Sequence, residues 1–334
     1  MARRPDVDLH RTLHPNPIPI NRATEEKDRH DMRRPMRFAI VGLALLPLLA
    51  ACGGSDPYSG DGADQGSGGS GKIVVGSADF PESTLLAHIY AKALEAKGME
   101  VGTQLNIGSR EVYYDQIAEG NLSVFPEYNG AILYYLDPDA KATDTEQTNK
   151  AVEERLPEGL EILDAAPAEN KDSVSVTRET AEKKGLTSLN DLKKVAGDMT
   201  LGGPPEFETR PQGVPGLNAT YGVEFKKFRA LDASLLPQAL KNGDVQAANL
   251  FTTDPAIVKN DFVPLDDPEG LFGTQNVTPL VNSDAVDDKA RAALNAVSAK
   301  LTTETLSELN ERVSIDHENA ADVAADWLDS AGLA

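Results

Sequence analysis

From residue 72 onward the chain alternates short apolar runs with amphipathic stretches of helical period, and this restricts its fold more than any other feature. Residues 72–77 (KIVVGS) predict a buried strand, and 81–97 predict a helix with Leu85, Leu86, Ile89, Tyr90 and Leu94 on one face. Asp79, Phe80, Pro81 and Glu82 read as its start: a capping-type Asp, a Pro at the first helical position and a Glu three residues after the Asp. Further strands are predicted near 103–107, 122–125, 160–163, 173–177, 199–202, 245–250 and 277–282. Helices are predicted near 110–119, 129–136, 178–184, 188–195, 213–221, 233–242 and 255–260. Residues 283–331 are nearly all helical in pattern, with Trp327 as their one large aromatic anchor. Such alternation argues for α/β sheets covered by helices on both faces, and no repeat of 20–50 residues is visible.

Ahead of this region one apolar stretch of 14 residues, 38–51, follows Arg33, Arg34 and Arg37. It is short for a bilayer span and reads as a signal-peptide core. It ends in Leu49-Ala50-Ala51-Cys52, which resembles a bacterial lipobox, so Cys52 is expected to become the lipidated mature N-terminus. Residues 1–35 carry no apolar periodicity, which suggests a true start at Met32 or Met36. Residues 53–71 are almost wholly Gly, Ser and Asp, a tether with an end-to-end distance of about 25 Å. Lipid on one cysteine holds a protein at a membrane surface, here the extracytoplasmic face, without spanning it.

The 334 residues suffice for about two domains. Cys52 is the only cysteine, so disulfide frameworks, CxxC redox sites and cysteine zinc sites are arithmetically excluded. Net charge is −21 overall, and −24 once residues 1–51 are removed, so a nucleic-acid backbone would be repelled. Catalytic groups are scarce. Beyond the leader only His88 and His317 remain, no GxSxG elbow occurs, and Gly202-Gly203-Pro204-Pro205 lacks the Lys-Ser/Thr of a phosphate loop. No cofactor, metal site or enzymatic activity is expected.

Four motifs then carry a resemblance: Gly76-Ser77-Ala78-Asp79-Phe80-Pro81-Glu82, Pro126-Glu127-Tyr128-Asn129-Gly130, Glu206-Phe207-Glu208-Thr209-Arg210 and Phe251-Thr252-Thr253-Asp254. In order and spacing, residues 72–330 resemble the osmoprotectant-binding proteins of ABC importers, which take glycine betaine, choline and carnitine. The resemblance implies a type II periplasmic-binding-protein fold, two α/β lobes with a ligand cleft and two crossover strands. The lobes would be 72–170 plus 276–334, and 171–275, after the leader 1–51 and the tether 52–71. The implied partners are a small solute, the permease and ATPase subunits, and the membrane through the lipid anchor.

The resemblance also implies a site. A quaternary ammonium donates no hydrogen bond and is held over aromatic faces. The family's four cage positions fall here on Tyr128, Asp172, Phe251 and Gln275, so only two are aromatic. Its carboxylate grip falls on Ala78, Ala131 and Arg210, so only the Arg remains, with an ion pair to Glu206 or Glu208 as its alternative role. Thr252 belongs to the same ligand-binding set, whereas Thr253 and Asp254 before Pro255 read as a helix cap. Tyr113, Tyr114, Tyr134 and Tyr135 are candidates for replacement rings; adjacency on a helix allows only one of Tyr113 and Tyr114 to face a cleft. Weakened betaine affinity or a shifted specificity follows. The competing expectation is a surface lipoprotein of this fold that binds another small polar solute such as an amino acid, or that signals.

Overall fold

The computed structural model describes residues 71–334, so Cys52, the leader and nearly all of the tether lie outside the described residues. The chain begins with β1 (Ile73–Gly76), α1 (Pro81–Ala96), β2 (Val101–Gln104), α2 (Arg110–Ala118) and β3 (Val124–Tyr128). It continues through α3 (Asn129–Leu136), α4 (Thr145–Glu153) and β4 (Leu160–Ile162). A second run follows: β5 (Asp172–Thr177), α5 (Arg178–Lys184), α6 (Leu189–Leu192), β6 (Thr200–Gly203), α7 (Val214–Tyr221) and β7 (Lys227–Ala230). Then come α8 (Leu236–Asn242), β8 (Ala247–Phe251), α9 (Ala256–Lys259) and β9 (Phe262–Pro264). The chain ends in β10 (Val277–Asn282), α10 (Asp288–Ser298), α11 (Thr303–Ser314) and α12 (Ala320–Ala331).

Two five-stranded sheets result, ordered β2-β1-β3-β10-β4 and β7-β6-β8-β5-β9. In each, three parallel strands have the first in the middle, and an antiparallel strand lies beside the third. The antiparallel strands, β10 and β5, are those the chain enters on passing from one sheet to the other. The passages meet as a bridge between Glu169 and Asn276. Where strand order reverses, beside β1 and β6, the connections leave in opposite directions and open a crevice at the carboxyl ends of the strands. The loops after Gly76, Tyr128, Gly203 and Phe251 all leave from those ends.

Each sheet has its own core. On the first, Leu85, Leu86, Ile89, Tyr90 and Leu94 are fully buried, as the helical period predicts. The opposite side of α1 is covered as well, because α10, α11 and α12, with Trp327, pack onto it. The second core gathers Val174, Val176, Leu189, Leu192, Leu201, Leu217 and Phe272.

Several expectations differ. Asp79 does not cap α1: Phe80 occupies that position in extended backbone with no side-chain bond, while Asp79 is exposed and Glu82 is buried. The strand predicted at 103–107 ends at Gln104, because Asn106 takes a positive φ and the backbone turns toward α2. Strands β7 and β9 and helix α4 have no counterpart among the predicted elements.

Candidate functional site

The crevice narrows to a cavity of about 90 Å³ between the two sheets. Its first wall is aromatic. Tyr128 ends β3 and Phe251 ends β8, one from each sheet, and Phe80 enters from the turn before α1. The Phe80 ring lies 5.3 Å from Phe251 and 6.4 Å from Tyr128, centroid to centroid, which makes a three-ring surface from two lobes.

Tyr128 is held by its hydroxyl, which donates to Glu82 at 2.5 Å. The Glu82 carboxylate also accepts from Asn170 Nδ2 (2.7 Å), Thr253 Oγ1 (2.5 Å) and Asn310 Nδ2 (2.5 Å). Four donors from β3, the interlobe passage, the turn after β8 and α11 thus converge on one buried acid. Burial and the neighbouring Glu82 push the Tyr128 phenol well above its ordinary value, so it stays a hydrogen-bond donor.

Beneath the cavity Arg110 and Glu127 form a buried bidentate pair at 2.6 and 2.8 Å. Glu127 also accepts from the Tyr113 hydroxyl (2.6 Å) and the Tyr128 N–H (2.7 Å), which completes its coordination. Tyr113 stacks on Phe125 at 3.6 Å and lines the cavity. Tyr114 packs instead against Tyr135 in a tilted pair, and neither these two nor Tyr134 reaches the cavity.

The polar side comes from the second lobe and the passages. Asp172 pairs directly with Phe251 across β5 and β8, so both side chains share one face. Its carboxylate accepts from Asn249 Nδ2 (3.0 Å) and Gln275 Nε2 (3.4 Å). Gln275 also donates to the Phe272 carbonyl at 3.1 Å. Ala78 and Ala131 are buried and present methyl groups to the cavity.

Arg210 reaches the cavity, but its guanidinium is engaged. Nε and one terminal nitrogen each lie 3.1 Å from the carboxylate oxygens of Glu111, a fork-to-fork pair between the lobes. Glu206 stands 3.9 Å from the same guanidinium, so the expected local ion pair is present as the longer contact, Glu208 forms none, and the shorter contact goes to Glu111, 99 residues distant. Although desolvation of Glu111 acts upward, hydrogen bonds from Arg210 and Ser109 hold its carboxyl down at about 2.

Of the residues expected from the sequence, the cavity brings together Tyr128, Phe251, Arg210, Asp172, Gln275, Ala78 and Ala131. Thr252 does not belong with them. Period-two alternation turns it to the opposite face of Phe251, where it is exposed and its hydroxyl accepts from the Lys171 N–H at 2.9 Å. Pro255 occupies the N-cap position of the short helix α9, Asp254 just before it accepts from the Ala256 N–H, and Thr253 turns inward to Glu82. Phe80, Glu82, Glu111 and Gln212 join the site only through the tertiary fold. Phe80 lies within a quoted motif, but its neighbours read as a helix start. Among the described residues no cluster of His, Cys, Asp and Glu is arranged to hold a metal ion.

The family model described as the substrate-binding domain of ABC-type glycine betaine transport systems matches residues 71–330. The chain belongs to that family. It is the extracytoplasmic substrate-binding component of an ABC importer, not an enzyme, and works with permease and ATPase subunits. Among curated relatives, the glycine betaine-binding protein YehZ of Escherichia coli K12 is 28% identical over 276 residues, 78% of this chain and 90% of that protein. A glycine-betaine-binding protein of Pseudomonas aeruginosa PAO1 is 28% identical over 272 residues, covering 77% and 86%. Among solved structures, a glycine betaine/carnitine/choline ABC transporter protein superposes with a TM-score of 0.64 at 21% identity, covering 78% of this chain and 99% of that one. Apo YehZ from Escherichia coli gives 0.57 at 27%, covering 79% and 99%. These likenesses fix the type II periplasmic-binding-protein fold. No helix among the described residues is long and apolar enough to cross a membrane.

Proposed function

We propose that this protein captures a small cationic or zwitterionic compatible solute of the glycine betaine, choline or carnitine kind and delivers it to its permease. The observation that carries the reading is the three-ring surface of Phe80, Tyr128 and Phe251, drawn from both lobes around one small cavity. A cation over each ring face gains about 0.5–2 kcal/mol, and a site built from two lobes couples binding to closure.

In this reading the lobes are 72–170 with 276–334, and 171–275, hinged where Glu169 meets Asn276. Lipid on Cys52 and the glycine-rich tether hold the body near the permease. Support for the anchor comes from the basic, apolar, Leu-Ala-Ala-Cys order of the leader. Cys52→Ser should release the protein from membranes or stall its processing; full retention of the processed variant in the membrane fraction would remove the anchor from the account.

The solute reading is tested by thermal unfolding with glycine betaine, choline, carnitine, ectoine and amino acids at millimolar concentration. A cleft ligand stabilises by RT ln(1 + [L]/Kd), so a dose-dependent rise in Tm with a quaternary or related ammonium is expected. A rise with neutral amino acids alone would favour a different solute class.

A further inference from the structure

This inference rests on the solute-binding reading and narrows it. The cavity holds acceptors that a fully methylated ammonium cannot use. Asp172 is bonded only by the neutral amides of Asn249 and Gln275, and no cationic side chain among the described residues forms an ion pair with it. A carboxylate has room for about four donors, so its coordination is incomplete. Gln212, just before α7, is 3% exposed and lines the same cavity, and its side-chain carbonyl oxygen is buried with no hydrogen-bond partner.

Both arginines at the cavity are matched by acids, Arg110 by Glu127 and Arg210 by Glu111. That leaves the carboxylates of Asp79, Asp172, Glu206 and Asp232 as an excess of negative charge along its walls. A cation is favoured there, and a solute carboxylate would have to displace Glu111 to reach Arg210. The two sides of the cavity therefore ask for different things: the rings favour methyl groups on a cationic nitrogen, while Asp172 and Gln212 accept hydrogen bonds.

We infer that the preferred solute is a partly methylated ammonium that keeps an N–H. Its methyl groups lie against Phe80, Tyr128 and Phe251, its N–H is donated to Asp172, and a second donor such as a hydroxyl satisfies Gln212. A trimethylated nitrogen keeps the ring contacts but offers Asp172 no hydrogen bond. An unmethylated one offers hydrogen bonds but loses the rings.

Two methylation ladders test this by calorimetry on the full chain: ethanolamine, N-methylethanolamine, N,N-dimethylethanolamine and choline, and glycine, sarcosine, N,N-dimethylglycine and glycine betaine. The expected result is tightest binding at the N,N-dimethyl member of at least the ethanolamine series, by about tenfold or more over choline, the value of one hydrogen bond to a charged group. Asp172→Asn should flatten that preference, and Asp172→Tyr should invert it toward the trimethyl member. Binding of choline by the unsubstituted protein as tightly as, or more tightly than, N,N-dimethylethanolamine overturns the inference while leaving the solute reading intact. So does a dimethyl preference that survives Asp172→Asn. Binding of no member of either ladder overturns this inference, and overturns the solute reading as well where carnitine also leaves Tm unchanged.

Discussion

Glu82 shows how a single residue can order this site. It is buried on the first turn of α1 and receives four hydrogen bonds from four parts of the chain, one of them from the ring that walls the cavity. Arg110 and Glu127 do comparable work beneath it, and there the charge is balanced. Removing one member of a buried pair leaves the other uncompensated, so Arg110→Ala should lower unfolding free energy by about 3–5 kcal/mol in urea titration. Gly130 follows a different rule. A Cβ at this position would run into the Thr274 carbonyl oxygen, where the returning passage lies against the start of α3, so Gly130→Ala should also destabilise, read by the same titration. The sequence exposed Tyr128 and Phe251 because each sits at a strand end within a recognisable motif. It concealed Phe80 and Glu82, because a Pro between them and an Asp before them match a capped helix start, and only tertiary packing turns the acid inward and the ring toward the cavity.

At the scale of elements, the three with no predicted counterpart, β7, β9 and α4, bury little apolar surface. Strand β7 lies at a sheet edge with only Phe228 partly covered between exposed Lys227 and Arg229. Strand β9 is three residues long and ends in a Pro that an edge tolerates. Helix α4 buries only Thr148 and Val152, although the Asp144 side chain caps it by accepting from the Gln147 N–H. The link between α2 and the turn holding Arg210 was also invisible, because nothing local couples residues 99 apart. Its energetics are modest. Glu111 is 44% exposed, so at neutral pH Glu111→Gln should change stability by no more than about 1 kcal/mol. Because the folded carboxyl is depressed to about 2, the bridge is present in full above the ordinary carboxylate range and is lost as pH falls through about 2. The stability difference between the wild type and Glu111→Gln should therefore be constant from pH 8 to about 5 and vanish toward pH 2.

At the scale of the whole molecule, the same strand order built twice faces its two switch points toward each other, and the rings, the acids and the arginines are the residues that follow those strand ends. Passages at Glu169 and Asn276 and a limited set of side-chain contacts join the halves, so a bound solute should contract the molecule, read as a smaller radius of gyration in solution scattering. The central claim, that this cavity is the solute site, is tested most directly by two neighbours on one chain. Phe251 faces the cavity and Thr252 faces away. Calorimetry with the tightest-binding ammonium should show Phe251→Ala weakening affinity by about 2- to 30-fold, the worth of one ring face, while Thr252→Ala leaves it unchanged. Unchanged binding in Phe251→Ala, or an equal loss in both variants, would contradict the account.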